Sequence, residues 1–215
     1  MLPNFQPDRV ALPLTLWWPR PGNPGQIPLS FSDLEEWKRF VEEFNLNPLV
    51  PQVMWDKYYR AQKLYYLGWI DYDCIKAGEV AALVALELAL IDRYGAADQA
   101  KRSRNNGPPM LGSLIAYMVE KDGLTDDQLP IFHKYGGGAI VCNLYESTKE
   151  LKGVRMNLVE RRNRACHGDP FDNTACAGLI EVVRDVIEYA YRDFIKERRL
   201  HEVVSHNENQ GSAHL

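Results

Sequence analysis

The chain has 215 residues, 46% of them hydrophobic and 25% charged, with a formal net charge of -4. That composition supports a sizeable packed core and excludes wholesale disorder. A chain this acidic is not held to nucleic acid by bulk charge, so any such contact must be local.

The N-terminus, Met1 to Arg9, lacks the basic-then-apolar plan of a signal peptide. Nine of the 13 prolines lie within residues 1–51. Proline removes a helix donor, so residues 1–30 are expected to be irregular, with Trp17 and Trp18 anchoring the arm. The expected domains are therefore a Pro-rich arm with one short helix over 1–55, a helical bundle over 56–200, and a disordered tail over 201–215. Ser30 or Ser32 is expected to cap a helix over about 33–45, with Glu35 and Glu36 at the positive end of its dipole. A second helix is expected over about 54–70. Its aromatics, Trp55, Tyr58, Tyr59, Tyr65, Tyr66 and Trp69, step by threes and fours, a pattern of core or dimer interface before one of base stacking.

Lys76 to Tyr94 is rich in Ala, Leu, Val and Glu and apolar on nearly every face, which predicts the central buried helix, ended by Gly95. Its run Val80 to Leu86 is the longest apolar stretch, far short of the roughly 18 to 20 residues that span a bilayer. Four cysteines, Cys74, Cys142, Cys166 and Cys176, form no Cys-x-x-Cys pair. Reduced thiols and a cytoplasmic compartment are expected. After a polar loop at 96–109, a helix is expected over about 110–121, then a turn at 122–127. Gly136-Gly137-Gly138 has no lysine and no preceding strand, so it is not a phosphate loop. A long helix over about 139–166 is read from Ile140, Leu144, Ser147, Leu151, Val154 and Leu158. Gly168 and Pro170 stop it. Asp172 or Asn173 caps a last helix over about 174–199. No strand pattern and no internal repeat are read anywhere.

The segment Leu158 to Gly168 breaks its own pattern. Continuing the inward stripe past Leu158 lands on Arg161 or Arg162, then Ala165. A guanidinium where the core asks for leucine is costly unless paired, and such conflicts gather at functional sites. Asn163 and His167 are four apart and share a face. Arg162 and His167 are five apart, about 140° and about 7.5 Å on an ideal helix. One chain does not obviously bring both to one phosphate; a two-fold dimer would. Between 149 and 164, Lys149, Lys152, Arg155, Arg161, Arg162 and Arg164 face only two acidic residues, giving a local charge of +4 on an acidic chain. That stretch is a landing strip for a polyanion. No metal-ligand cluster is read, and no cofactor is expected.

Arg162-Asn163-x-x-x-His167-Gly168, at the end of a long helix in an all-helical chain, resembles the motif of the HEPN superfamily. Ala77 to Leu90 looks like that family's early core helix, and the resemblance covers roughly residues 75–199. It implies an all-α, up-and-down helical bundle, usually dimeric. Many members are metal-independent endoribonucleases of toxin and antiviral defence systems; others are inactive modules that bind a partner or nucleotide. Carried over, Arg162 and His167 are catalytic, Asn163 is the polar helper, and Glu79 or Glu87 is a supporting acid. The implied partners are RNA, a second copy of the chain and a regulatory protein. In one branch, controlled by a nucleotidyltransferase antitoxin, a tyrosine follows the histidine by two positions. Asp169 stands there, which argues against that form of control.

Overall fold

Leu14, Leu16 and Trp18 are buried while Thr15 and Trp17 are exposed, the period-two signature of a strand with one face on a core. The computed structural model describes residues 13–22, 25–96, 109–135, 142–143, 156–167 and 175–211. In it this stretch is β1 (Leu14–Pro19), paired antiparallel with β2 (Gln26–Phe31) so that Leu16 faces Leu29 and Trp17 faces Pro28. The expectation of an irregular arm is thus corrected over 14–31. A two-stranded sheet has only edge strands, and an edge tolerates the missing N–H of Pro28. Arg20 N–H donates to Gly25 O across the turn, where Gly22 takes a φ of 68°.

The hairpin does not hang off the molecule. The Trp18 indole stacks on Phe44 at 5.2 Å and meets Phe40 edge-on at 4.9 Å. Its Nε1–H donates to the Tyr135 hydroxyl at 3.1 Å, and that hydroxyl donates to Glu181 Oε2 at 3.0 Å. Leu14, Leu16 and Trp18 belong to the same buried cluster as the helices, so the division at residue 55 does not separate two cores. Trp17, by contrast, is 54% exposed, so only one of the paired indoles anchors the hairpin.

Helix α1 (Leu34–Glu42) is capped by Asp33, whose side chain accepts from Glu36 N–H, while Glu36 Oε2 accepts from Ser32 N–H. This reciprocal box moves the cap from the expected serines to Asp33. Trp37 and Val41 point inward from α1. Helix α2 (Gln52–Leu67) buries Tyr58, Ala61, Gln62 and Tyr65, so two aromatics of the stripe are core while Tyr59 is exposed. Tyr58 O–H lies within bonding reach of Phe44 O and Ile180 O, tying α2 to the segment after α1 and to the start of the helix at Leu179.

Helix α3 (Asp73–Tyr94) is the central helix, packed against α2, α4 (Leu111–Glu120), α6 (Leu158–His167) and α7 (Leu179–Ala190). Its closest approach is to α2. A Cβ on Gly78 would stand 2.7 Å from the Tyr65 ring and 3.1 Å from Ala61 O. A helix-interior glycine ordinarily costs about 0.5–1 kcal/mol relative to alanine. Here the space it frees sets the spacing of the two helices.

Helix α5 (Pro130–Tyr135) follows a single 3-10 turn. The long helix expected over 139–166 is corrected. Cys142–Asn143 (β3) and Met156–Asn157 (β4) form a short parallel pair, and α6 begins only at Leu158. Asn143 and Asn157 are poor interior helix residues because their side chains compete for backbone groups, and Asn157 stands just before the helix start. Ile140, Leu144, Ser147, Leu151 and Val154 lie outside the described residues, as do Gly136 to Gly138.

The last helix starts at Leu179 rather than near 174, after Gly178 in the left-handed region (φ 77°); Asp172 and Asn173 lie outside the described residues. It breaks at Tyr191, and α8 (Arg192–Gly211) continues from there. The tail expected to be disordered from 201 is therefore helical to Gly211; Glu202, Glu208 and Gln210 are good helix formers, and no proline stops them. The protein is mostly helical, with the core between α2, α3 and α7. Among the described residues, no helix is long and apolar enough to cross a membrane.

Candidate functional site

Helix α6 inserts Leu158, fully buried, and Arg161, 7% exposed, toward the core, with Ala165 partly buried on the same stripe. The inward guanidinium of the sequence pattern is therefore Arg161, and Arg162 lies at the edge of that face. The acid it needs comes from α3. Arg162 Nη2–H donates to Glu87 Oε2 at 2.8 Å, an ion pair with the side chains 30% and 19% exposed. Arg162 Nη1–H reaches Asn163 Oδ1 at 3.4 Å, a weak contact to the next residue of the motif. The Arg162 Nε–H is buried and has no acceptor among the described residues. A buried donor left unmatched is costly.

Glu79, one of the two expected acids, lies two turns earlier on α3 and is 2% exposed. Lys76 Nζ donates to its Oε2 at 2.7 Å, and the Cys176 amide donates to its Oε1. Burial pushes the Glu79 carboxyl above its ordinary range. Lys76, the Cys176 amide and the nearby Arg161 charge pull it back only in part. The two acids thus divide the two arginines. Glu79 is enclosed near Arg161, and Glu87 meets Arg162 at the surface. Lys76 and Cys176 were not foreseen at the site, although the three-residue spacing of Lys76 and Glu79 was a legible signal.

Asn163, Arg164 and Cys166 are exposed on the outer face of α6. Cys166 is a free thiol. His167 is the last residue of α6; its side chain lies outside the described part of the structure, as do Lys149, Lys152, Arg155 and Asp169. Among the described residues, no group of three or more His, Cys, Asp or Glu is placed to hold a metal. Set beside known proteins, the chain matches no family model, no curated protein and no solved structure.

Proposed function

We propose that this protein is a metal-independent endoribonuclease of the HEPN type, working as a cytoplasmic homodimer in a toxin or defence role. The observation that carries this reading is the Arg162–Glu87 pair. The first residue of the Arg-Asn-x-x-x-His stretch is held by the central helix at a partly exposed position, with its Nη1–H only weakly engaged by Asn163. Arginine in that setting is oriented yet still able to bind a phosphate, and it stabilises the negative charge that builds on phosphorus in the transition state.

The reaction needs only groups of these types. The 2′-OH of RNA attacks the adjacent phosphorus, the bond to the 5′-oxygen breaks, and a 2′,3′-cyclic phosphate and a 5′-hydroxyl result. His167 moves a proton at neutral pH, having an unperturbed pKa of about 6.5. Lys149, Lys152, Arg155 and Arg164 supply the basic ground on which the strand lands; Arg161, expected there from the sequence, is buried toward the core and is not part of it. A two-fold axis near the end of α6 brings Arg162 of one protomer toward His167 of its partner, with Glu87 screening the cations.

The test mixes chains. Arg162→Ala and His167→Ala proteins are each expected to be nearly inactive on RNA. Co-refolded together, they regain a share of wild-type cleavage, with cyclic phosphate ends and no cutting of DNA. Mixtures as inactive as their parents, together with a monomeric wild type by sedimentation, would remove the shared site. DNA cut as well as RNA would remove the 2′-OH chemistry.

A further inference from the structure

On the outer side of α2, away from its buried tyrosines, α1 and α2 enclose a cleft of 270 Å³. Pockets for drug-sized ligands run from about 300 Å³ upward, so this one suits a single planar ring system. Its floor is Gln62, a polar side chain only 5% exposed. Gln62 Nε2 donates to Val41 O at 3.3 Å and to Asn45 Oδ1 at 3.0 Å. Because a backbone carbonyl can only accept, the first bond fixes which end of the Gln62 amide is nitrogen. The second then fixes Asn45. Gln62 Oε1 is left as an acceptor and Asn45 Nδ2 as a donor, neither with a partner among the described residues.

Gln62 Oε1 is not among the buried atoms left without a partner and Asn45 is exposed, so both free arms open onto the cleft and can meet a ligand as they meet water. The complement of a neighbouring acceptor and donor is a donor beside an acceptor, the arrangement on the pairing edge of a nucleobase. The walls agree. Tyr59 and Tyr66 line the cleft, and Trp55 stacks on Tyr59 at 4.7 Å, extending an aromatic shelf along α2. Lys63 Nζ sits 4.7 Å from the centre of the Tyr59 ring, and Lys38 stands on the α1 side, held only by a long 4.0 Å contact to Glu35. Of the two ammonium groups at the rim, Lys63 carries no carboxylate contact among the described residues and Lys38 only the long one to Glu35, so both can turn to a phosphate, with Glu42 the acid in the lining.

We propose that the α1–α2 cleft binds a nucleobase bearing a phosphate, with the base edge on Gln62 and Asn45 and the phosphate toward Lys38 and Lys63. The proposal stands apart from the ribonuclease reading, since none of these residues belongs to α3 or α6. The ligand is either a free mononucleotide or one nucleotide of a single strand, and the experiment separates the two.

The full-length protein is titrated with uridine 5′-monophosphate, its N3-methyl analogue and a short oligouridylate, following the side-chain amide NMR signals of Asn45 and Gln62. Those two signals are expected to move first. The N3-methyl analogue, which lacks the imino donor, should bind about tenfold more weakly, an amount near the worth of one well-made hydrogen bond. Asn45→Asp, an exposed change that keeps the acceptor and removes the donor, should weaken the monophosphate by about the same factor. Lys63→Glu should weaken the monophosphate and leave uridine unchanged. Binding by the monophosphate identifies a free nucleotide, and binding by the oligonucleotide alone identifies a strand. Unmoved Asn45 and Gln62 signals at millimolar levels of both, or equal affinity in Asn45→Asp, would overturn the proposal. Because the readout is binding, a chain that cleaves no RNA leaves this result untouched.

Discussion

Arg184 on α7 and Arg162 on α6 both meet carboxylates, and they are built for different tasks. Every nitrogen of Arg184 is used. Nε donates to Asp185 at 2.8 Å, Nη1 to Glu43 O at 2.9 Å, and Nη2 to Asp185 at 2.7 Å and Glu181 at 3.4 Å. The carboxylates are shared further. Asp185 Oδ2 accepts from Ile131 N–H at the start of α5, and Glu181 accepts from Tyr135 and Lys134. Burial drives the Asp185 carboxyl upward, and Arg184 and the Ile131 amide pull it back. This closed network fastens the hairpin and α5 to α7. Arg162 makes one strong bond, one weak bond and leaves Nε idle. A satisfied buried network holds a fold together, whereas a half-satisfied surface pair keeps capacity for a ligand.

The largest expected contrast is in stability. Arg184→Ala strands Asp185 and Glu181 without their cation and should cost about 3 kcal/mol or more in urea unfolding. Arg162→Ala, at a partly exposed pair, should cost less than about 1 kcal/mol. Similar losses for the two would erase the distinction.

A second contrast is in pH, with opposite signs at two acids. The Asp122 carboxyl receives both arms of Arg192, at 2.6 and 2.8 Å, and the Tyr94 hydroxyl, which hold it below its ordinary value. Its stabilisation is present above the unfolded value of 3.8 and fades as pH falls through the folded one. Glu79 runs the other way. Its raised folded pKa gives stability below the unfolded value of 4.5, lost as pH rises through the folded value. Urea midpoints measured against pH should therefore lose part of their acid sensitivity in Asp122→Asn. In Glu79→Gln they should lose part of the decline above pH 4.5. Unchanged profiles would show that neither environment is as described.

The smallest effect concerns the strand's landing ground. Reversing Lys149, Lys152 and Arg155 to Glu should weaken RNA binding and lower the salt slope by roughly two, at about 0.7 per single-strand phosphate contact. The unfolding midpoint should stay near that of the wild type. An unaltered slope would place the RNA elsewhere.

Much of the helical frame was legible. The expected helix at 76–94 is α3 extended by one turn, because a stretch apolar on nearly every face has only one place to go. The family resemblance implies Glu79 or Glu87 as a supporting acid; Glu87 pairs with Arg162, whereas the stripe leaves open which arginine faces inward, and it is Arg161. The hairpin was not read. Its prolines outweighed the alternation of Leu14, Leu16 and Trp18, and proline says little against an edge strand. The helix expected over 139–166 overshoots α6 because spacing by threes and fours gives no start point, and Asn157 stands where the helix begins. The α1–α2 cleft was invisible because it depends on where Asn45 falls against Gln62, a tertiary fact with no local trace.

RNA cleavage by Arg162 and His167 without a metal is the function proposed for this protein. It is tested most directly by incubating a labelled RNA in EDTA with wild type, His167→Ala and Arg162→Ala, each confirmed to be folded. The account predicts cleavage by wild type and a loss of about a hundredfold or more in each variant, the effect of removing one transition-state group. Wild-type rates in either variant, or cleavage that appears only when magnesium is added, would contradict it.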